Sequence, residues 1–467
     1  MKKGKVYLVG AGPAGKDFIT LKGYKILRQA DVVIYDYLVD KELLGDLKPG
    51  AELICCDNLG KKRHLDGFSN TQDKINNLLV KKAREGKCVL RLKNGDPALF
   101  SRLSQELEAL TSEGIEFEII PGVTAASAAS SLSGVPLTDR RFASSVVFVT
   151  GHEQHIGKSE KSINWDAVAG CGTVVLYMAV ENISGIVKKL ISGGKSPSTP
   201  ALIVSGAYKI NQRIVKDRLD RITYAAKKGQ IKPPAIFIIG EAVDFEKRFN
   251  WTRKNRRILF TGLSDQRFYL KGTHYHLPLV KISALSDYRQ MDKYLSDITG
   301  YDWIVFGSGF GVEYFFKRLH QNGLDSRKLK GLNIAAIGNS TRNRLKDFGI
   351  FADLVPKKES SFGLIEEFRR IGISGEKIFL PRSDISDKGL ERGLTSLGAR
   401  VTRCIAYKNL RRTDLPDLNL ETFDEIIFCS PSGVRSFVKR YGLPAKKVSI
   451  KCIGEVTKAE ARKLHLL

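Results

Sequence analysis

Short apolar runs alternate with longer amphipathic segments along the whole chain, and that alternation restricts it to the α/β class. In the first half the strand-like runs are Val6-Leu8, Val32-Tyr35, Leu53-Cys55, Val89-Leu92, Phe117-Ile120, Val146-Val149, Val174-Tyr177, Ala201-Val204 and Ala235-Ile239. Between them Gln72-Glu85, Leu103-Glu113 and Asn182-Ser192 carry helical spacing of apolar residues. The pattern breaks after Val243, where DFEKRFNWTRKNRR is charged and lacks apolar periodicity, and restarts with Ile258-Phe260. A chain of 467 residues exceeds what one core organises. The expected division is therefore 1–246, a linker at 247–256, and 257–467. The second part repeats strand-turn-helix units at Trp303-Leu319, Ile334-Gly349, Lys377-Leu394 and Ile426-Gly442. Each sets Ser, Thr or Asp just after an apolar strand, where an N-cap and free backbone N–H groups can hold an anion.

Two short segments narrow the chemistry. Pro121-Thr138, PGVTAASAASSLSGVPLT, is a helix-forming run of small residues that buries little apolar area, so a backbone, another helix or a flat ligand must lie close against it. Gly10-Gly15, GAGPAG, follows the strand Val6-Val9 and is trailed by Asp36 at the end of the next strand. Taken alone, that is the outline of a dinucleotide-binding turn, which makes an FAD- or NAD-dependent oxidoreductase the rival reading.

Composition excludes several other classes. No apolar run approaches the roughly eighteen residues of a membrane span, so a cytoplasmic protein is expected. Seven cysteines form no CxxC pair, and neither a disulfide nor a metal site is expected. The net charge of +26 raises nucleic-acid binding. Lys and Arg are, however, spread through both halves without a basic tail or an aromatic RNA-binding signature, so no nucleic-acid partner is expected. A small polyanionic ligand is compatible with the same field.

Together with VYLVGAGPAGKDFITLKG, RLKNGDPALFSR, TGH, LYM and PPAIFIIGEAV, the small-residue run resembles the S-adenosylmethionine-dependent uroporphyrinogen-III C-methyltransferases of the tetrapyrrole methylase family. The resemblance implies a two-lobed methylase fold for the first half. It places S-adenosylmethionine against Pro13, Asn94, Gly95, Asp96, Leu99, Thr124, Ala125, Met178, Ala207, Pro234 and Ala235. Asp36 and Lys61 become the candidates for handling the proton lost from substrate, and Arg102, Arg140 and His152 those for binding its carboxylates or acting as catalytic groups, Arg102 being taken as catalytic. A homodimer through this half is implied by the resemblance alone. Gln105 stands where the family has an acid, with Glu106 following it, and an amide there cannot serve as a base.

The second half, with GARVTRCIAYK and CIGEVTKAEA, resembles uroporphyrinogen-III synthase. This implies two further α/β lobes, the first built from Ile258 to about His276 plus about Leu410 to Leu467, the second from the residues between. It also implies cyclisation of hydroxymethylbilane without a cofactor, with Tyr407 assisting loss of the hydroxyl and Ser308, Thr341, Ser430 and Ser432 holding carboxylates. Related chains continue beyond the point matching Leu467, so the last element of this half is expected to be missing or replaced. The partners implied for the whole chain are polycarboxylate tetrapyrroles.

Overall fold

A computed structural model describes residues 4–59, 68–152, 163–264, 271–445 and 448–467. They form two compact units, one essentially Met1–Arg257 and the other essentially Ile258–Leu467, with the short segments Lys271–Tyr275 and Asp417–Asn419 grouping with the first.

The first unit contains two five-stranded sheets. In the first, Glu52–Cys55, Val32–Tyr35, Val89–Lys93, Lys5–Gly10 and Glu116–Ile120 lie side by side in that order, all parallel. Parallel strands need covered faces. Leu8, Val32, Ile34 and Leu79 pack on one side, and Val9, Val33, Leu90 and Leu92 on the other. The second sheet runs Val146–Thr150, Thr173–Tyr177, Ala235–Ile239, Pro200–Ser205, Arg213–Arg218, and is antiparallel beyond its first pair. Its outer strand, Arg213–Arg218, was not foreseen, because RIVKDR reads as a solvated charged stretch; an edge position tolerates that composition.

The small-residue run forms the helix Ala125–Ser133, whose Ala126, Ala129 and Leu132 lie on Val175, Leu202, Val204 and Ile236 of the second sheet. Main chain also approaches it closely: a Cβ on Gly134, which has φ 66°, would run into the carbonyl of Phe249. That contact bears on the segment expected as a linker. Residues Glu246–Phe249 and Trp251–Lys254 are helical, Phe245 stacks on Phe249 at 5.2 Å, and the Trp251 indole N–H donates to the Ser131 carbonyl at 2.9 Å. Glu246, Asn250 and Thr252 are buried. The stretch therefore packs on the first unit, held by aromatic contacts that its charge pattern conceals.

In the second unit, one sheet places Arg257–Phe260, Glu425–Phe428 and Ser449–Cys452 in parallel succession, and the helix Glu455–Lys463 follows the last strand. The other orders Val280–Ser283, Arg400–Arg411, Lys377–Ser383, Trp303–Phe306 and Asn333–Ala336. The first sheet thus draws strands from both ends of this half and the second from between them, the two-lobed arrangement expected. Among the described residues no helix is long and apolar enough to cross a membrane.

Candidate active site

In the first unit three loops meet main chain to main chain. Gly12 and Gly95 form a bridge in which each amide donates to the other's carbonyl, at 3.2 and 3.0 Å. A Cβ on Gly10 would lie 2.6 Å from both Gly122 Cα and the Gly95 oxygen, so no side chain fits at that junction. Gly95 itself has φ 71°, a left-handed backbone that glycine adopts without strain. Asp96 fastens the junction: one carboxylate oxygen accepts from Gly122 N and the other from Ala98 N, both at 2.8 Å. Its expected partnership with a ligand therefore shares the carboxylate with two backbone bonds.

The remaining donor candidates lie on segments tied to this junction. Thr124 stands at the N-terminal boundary of the helix Ala125–Ser133 without capping it through its side chain; its hydroxyl lies 2.6 Å from the Tyr177 hydroxyl, which also accepts from Ala126 N at 3.2 Å. Tyr177 was not among the candidates, though it stands beside Met178 in LYM; it holds Met178 next to the helix start. Met178 is 56% exposed, with φ 52°. The Phe18 ring meets the Tyr208 ring at 4.5 Å, and Gly206 N donates to the Pro234 carbonyl at 2.9 Å. The loops carrying Pro13, Asn94 to Leu99, Thr124 and Ala125, Met178, Ala207, and Pro234 and Ala235 are thus linked by direct contacts. Phe100, Arg102, Met178 and Tyr208 are non-glycine residues with positive φ, and strained backbone of this kind gathers where geometry serves a ligand.

The same geometry removes the dinucleotide reading. In a dinucleotide fold the helix begins at the glycine turn and aims its N-terminus at the pyrophosphate. Here a 3-10 turn, Lys16–Phe18, intervenes, and the helix begins only at Leu21, capped by Thr20. The strand before Asp36 pairs with Val89–Lys93 rather than with Lys5–Gly10, so Asp36 does not flank the strand that feeds the glycine loop.

Asp36 instead belongs to a buried ionic cluster. Strand Val89–Lys93 is internal to its sheet, yet carries Arg91 and Lys93 at 3% and 1% exposure. Glu106, fully buried on the helix Leu103–Ser112, accepts from Arg91 Nε at 2.9 Å and Lys93 Nζ at 2.6 Å. Arg91 Nη2 reaches Asp36 Oδ1 at 2.5 Å, and Asn94 N donates to Asp36 Oδ2 at 3.2 Å. Two cations thus meet two carboxylates, the balance that a buried charge requires. Burial alone would raise the Asp36 pKa, but the charges of Arg91 and Lys93 and these hydrogen bonds carry it below the ordinary carboxylate value. For Lys93, burial and the adjacent Arg91 outweigh Glu106 and lower the ammonium pKa. The buried acid here is Glu106, whereas Gln105 is exposed and offers its backbone carbonyl to Asn76 Nδ2.

The other substrate candidates are more dispersed. Arg102 precedes the helix that carries Glu106, with φ 58°. Arg140 is exposed, and the neighbouring Asp139 pairs with Arg141. His152 is exposed, its backbone N–H directed at Thr150 Oγ1 at 3.3 Å. Lys61 lies outside the described residues.

In the second unit Tyr407 and Ser308 come together, their hydroxyls 2.9 Å apart. Ser308 Oγ also caps the helix Gly309–Gln321 by accepting from Gly311 N. Tyr407 is 7% exposed, with the Tyr314 ring stacked 5.6 Å away. Ser430 caps Pro431–Tyr441, and its hydroxyl lies 3.2 Å from that of Ser432. Thr341 differs from expectation: it is 3% exposed in the first turn of the helix Asn339–Lys346, which turns the face carrying Thr341 and Leu345 inward. The helix begins at Asn339, whose N–H and side-chain amide both donate to Glu359.

Comparison with known proteins finds a match for each half of the chain. The family model of the tetrapyrrole (corrin/porphyrin) methylases matches residues 5–223, and that of uroporphyrinogen-III synthase HemD matches residues 270–466. The chain is 31% identical to the porphyrin biosynthesis protein HemD of Ruminiclostridium josui, across 100% of this chain and 95% of that protein. Its first half is 44% identical to the uroporphyrinogen-III C-methyltransferase of Priestia megaterium, over 52% of this chain and 99% of the other. It is also 39% identical to the S-adenosyl-L-methionine-dependent uroporphyrinogen III methyltransferase of Methanosarcina barkeri, over 51% of this chain and 92% of the other. With two family models matched on one polypeptide and a relative that matches it almost end to end, the chain belongs to the porphyrin-biosynthesis family in which a tetrapyrrole methylase half is fused to a uroporphyrinogen-III synthase half.

Proposed function

We propose that the first half methylates uroporphyrinogen III twice at carbon to give precorrin-2, using S-adenosylmethionine, and that the second half makes its substrate by closing hydroxymethylbilane. The observation that supports the methylation most directly is the junction of the GAGPAG, NGDP and PGVT loops with Tyr177-Met178 beside it. The residues there fit the donor: the backbone at Gly95 is uncrowded, a Cβ there meeting nothing nearer than 3.9 Å, and Met178 offers an exposed, polarisable surface. When bound, S-adenosylmethionine supplies an electrophilic methyl group with its own leaving group, so the protein's work is orientation and proton handling.

In this reading Gly95, Thr124 and the Pro234-Ala235 backbone orient the donor, with Pro13, Asn94, Asp96, Leu99, Ala125 and Ala207 lining the same loops. The carbon that accepts the methyl group already bears a side chain and carries no hydrogen, so the charge left by methylation is discharged by proton loss from a ring nitrogen or bridging carbon of the same macrocycle, and Asp36, kept ionised by Arg91, takes up that proton. Arg102, Arg140 and His152 bind substrate carboxylates, and Lys61 is assigned to proton handling by resemblance alone. In the second half the Tyr407 hydroxyl, oriented by Ser308, assists departure of the substrate hydroxyl, while Ser430 and Ser432 hold carboxylates. A cytoplasmic homodimer joined through the first half completes the reading, and sedimentation measures that part.

Incubating the chain with hydroxymethylbilane and S-adenosylmethionine tests both activities at once. The expected products are uroporphyrinogen III and its dimethylated derivative. Ring closure at the enzyme-free rate without inversion, or an absence of methylated product, would remove the corresponding half of the proposal.

A further inference from the structure

We propose that Arg382 anchors one carboxylate of the linear tetrapyrrole in the second half, a role that rests on reading this half as the synthase. Arg382 is the penultimate residue of the strand Lys377–Ser383 and is 9% exposed. Its guanidinium packs against Gly307, where any Cβ would collide with Nη1, so the missing side chain makes room for the cation. Gly307 leads directly into Ser308, whose hydroxyl meets that of Tyr407. On the other flank, the strand pairing shifts register between Arg382 and Ser383, bringing Ser383 opposite Tyr407. Arg382 therefore sits at the same strand ends as the hydroxyl pair assigned to the reaction.

Asp387 and Glu391 act on Arg382 through space, but neither carboxylate pairs with the guanidinium directly. Arg382 Nη2 donates to the Asp387 backbone carbonyl at 3.4 Å, and among the described residues no carboxylate oxygen forms an ion pair with it within 4 Å. The Asp387 carboxylate accepts from Gly389 N at 2.7 Å. Arg403 stands close enough to add repulsion; it donates to the Ser383 and Ser386 carbonyls and has Glu391 at 3.8 Å. Burial, helped by the neighbouring Arg403, lowers the Arg382 pKa from the usual guanidinium value despite the charges of Asp387 and Glu391, so desolvation is not fully offset at this site. A nearly buried arginine with no carboxylate bound to its fork is unusual, and that planar fork matches a carboxylate. The proposed substrate carries many carboxylates, and one of them completes this site.

The test uses the full chain with Arg382→Met, which keeps much of the length without charge, and Arg382→Lys, which keeps charge without the fork. For cyclisation of hydroxymethylbilane, the methionine variant should raise KM at least tenfold with kcat within about threefold, the signature of a lost ground-state contact, and lysine should recover part of the loss. Methylation of supplied uroporphyrinogen III should stay unchanged. A KM within twofold of the parent overturns the proposal, as does a fall in thermal stability of the second unit with KM unchanged, which would make Arg382 a clamp on the Gly307 turn. Equilibrium binding of the octacarboxylate uroporphyrin III separates this idea from the synthase reading. If the parent chain does not cyclise hydroxymethylbilane, yet one class of uroporphyrin sites weakens tenfold in the methionine variant, the anchor stands and the synthase reading falls. Unchanged uroporphyrin binding overturns the anchor whether or not cyclisation occurs.

Discussion

Replacing Glu106 by Gln would test the ionic cluster under Asp36 with little change of shape. Glu106 is fully buried and serves two cations, Arg91 at 2.9 Å and Lys93 at 2.6 Å. Gln keeps one acceptor oxygen but removes the charge, leaving Arg91 with Asp36 alone and Lys93 with no direct anionic partner in the cluster. Breaking a buried pair from one side typically costs about 3–5 kcal/mol, and the first unit should lose stability on that scale. The loss should depend on pH. The Lys93 pKa is already below its ordinary value, so the folded state binds fewer protons than the unfolded chain, and stability rises with pH between the folded and unfolded values. Removing Glu106, which raises the Lys93 pKa, pushes the folded value further down and widens that window toward neutrality. The deficit of the variant should therefore be largest at or below neutral pH and shrink toward pH 10. Urea unfolding in a Trp303→Phe background, where the fluorescence of Trp165 and Trp251 reports the first unit, would measure it. A second change, Lys93→Met, should restore about 1–3 kcal/mol, because the stranded ammonium is then gone. A Glu106→Gln chain within about 1 kcal/mol of the parent at pH 7, or a deficit that holds constant up to pH 10, would refute the account of the cluster.

Further outcomes follow from other sites. Asp36→Asn should lower methyl transfer by about a hundredfold or more while leaving S-adenosylmethionine affinity, read by calorimetry, nearly unchanged. A first-unit fragment ending at Arg257 should melt at least about 5 °C above one ending at Val243, because only the longer one keeps Phe245, Glu246, Asn250 and Trp251 in place; equal melting temperatures would restore the linker reading. Tyr407→Phe should slow cyclisation by about a hundredfold in a discontinuous product assay and leave methylation of supplied uroporphyrinogen III intact.

The layout of strands was legible because their apolar runs are short, regular and separated by recognisable turns. The interior of the site was less so. Arg91 and Lys93 alternate with leucine in RLK, a pattern that normally signals one face in solvent. Only the position of that strand between Val32–Tyr35 and Lys5–Gly10 places both cations inside, and only the helix phase of Leu103–Ser112 shows that Glu106 rather than Gln105 meets them. Tyr177 was hidden for a similar reason. Its apolar neighbours mark it as a strand residue, while its function depends on a hydroxyl reaching a helix start that is distant in sequence. The segment after Val243 misled because charge counts say nothing about which aromatic rings face inward.

The glycine junction also bears on how such a protein can change over time. Gly10, Gly95 and Gly122 touch through atoms that every residue possesses, so a methyl group added at Gly10 or Gly122 cannot be accommodated by trimming a neighbour: there is nothing to trim. The junction therefore drifts as a single unit or not at all. Side chains beyond it, such as Arg140 and His152, are exposed and under no such restriction. If the proposed reading of this junction as the seat of the methyl donor holds, selection can retune which macrocycle is accepted while that seat, written in main chain, passes unaltered from one specificity to the next.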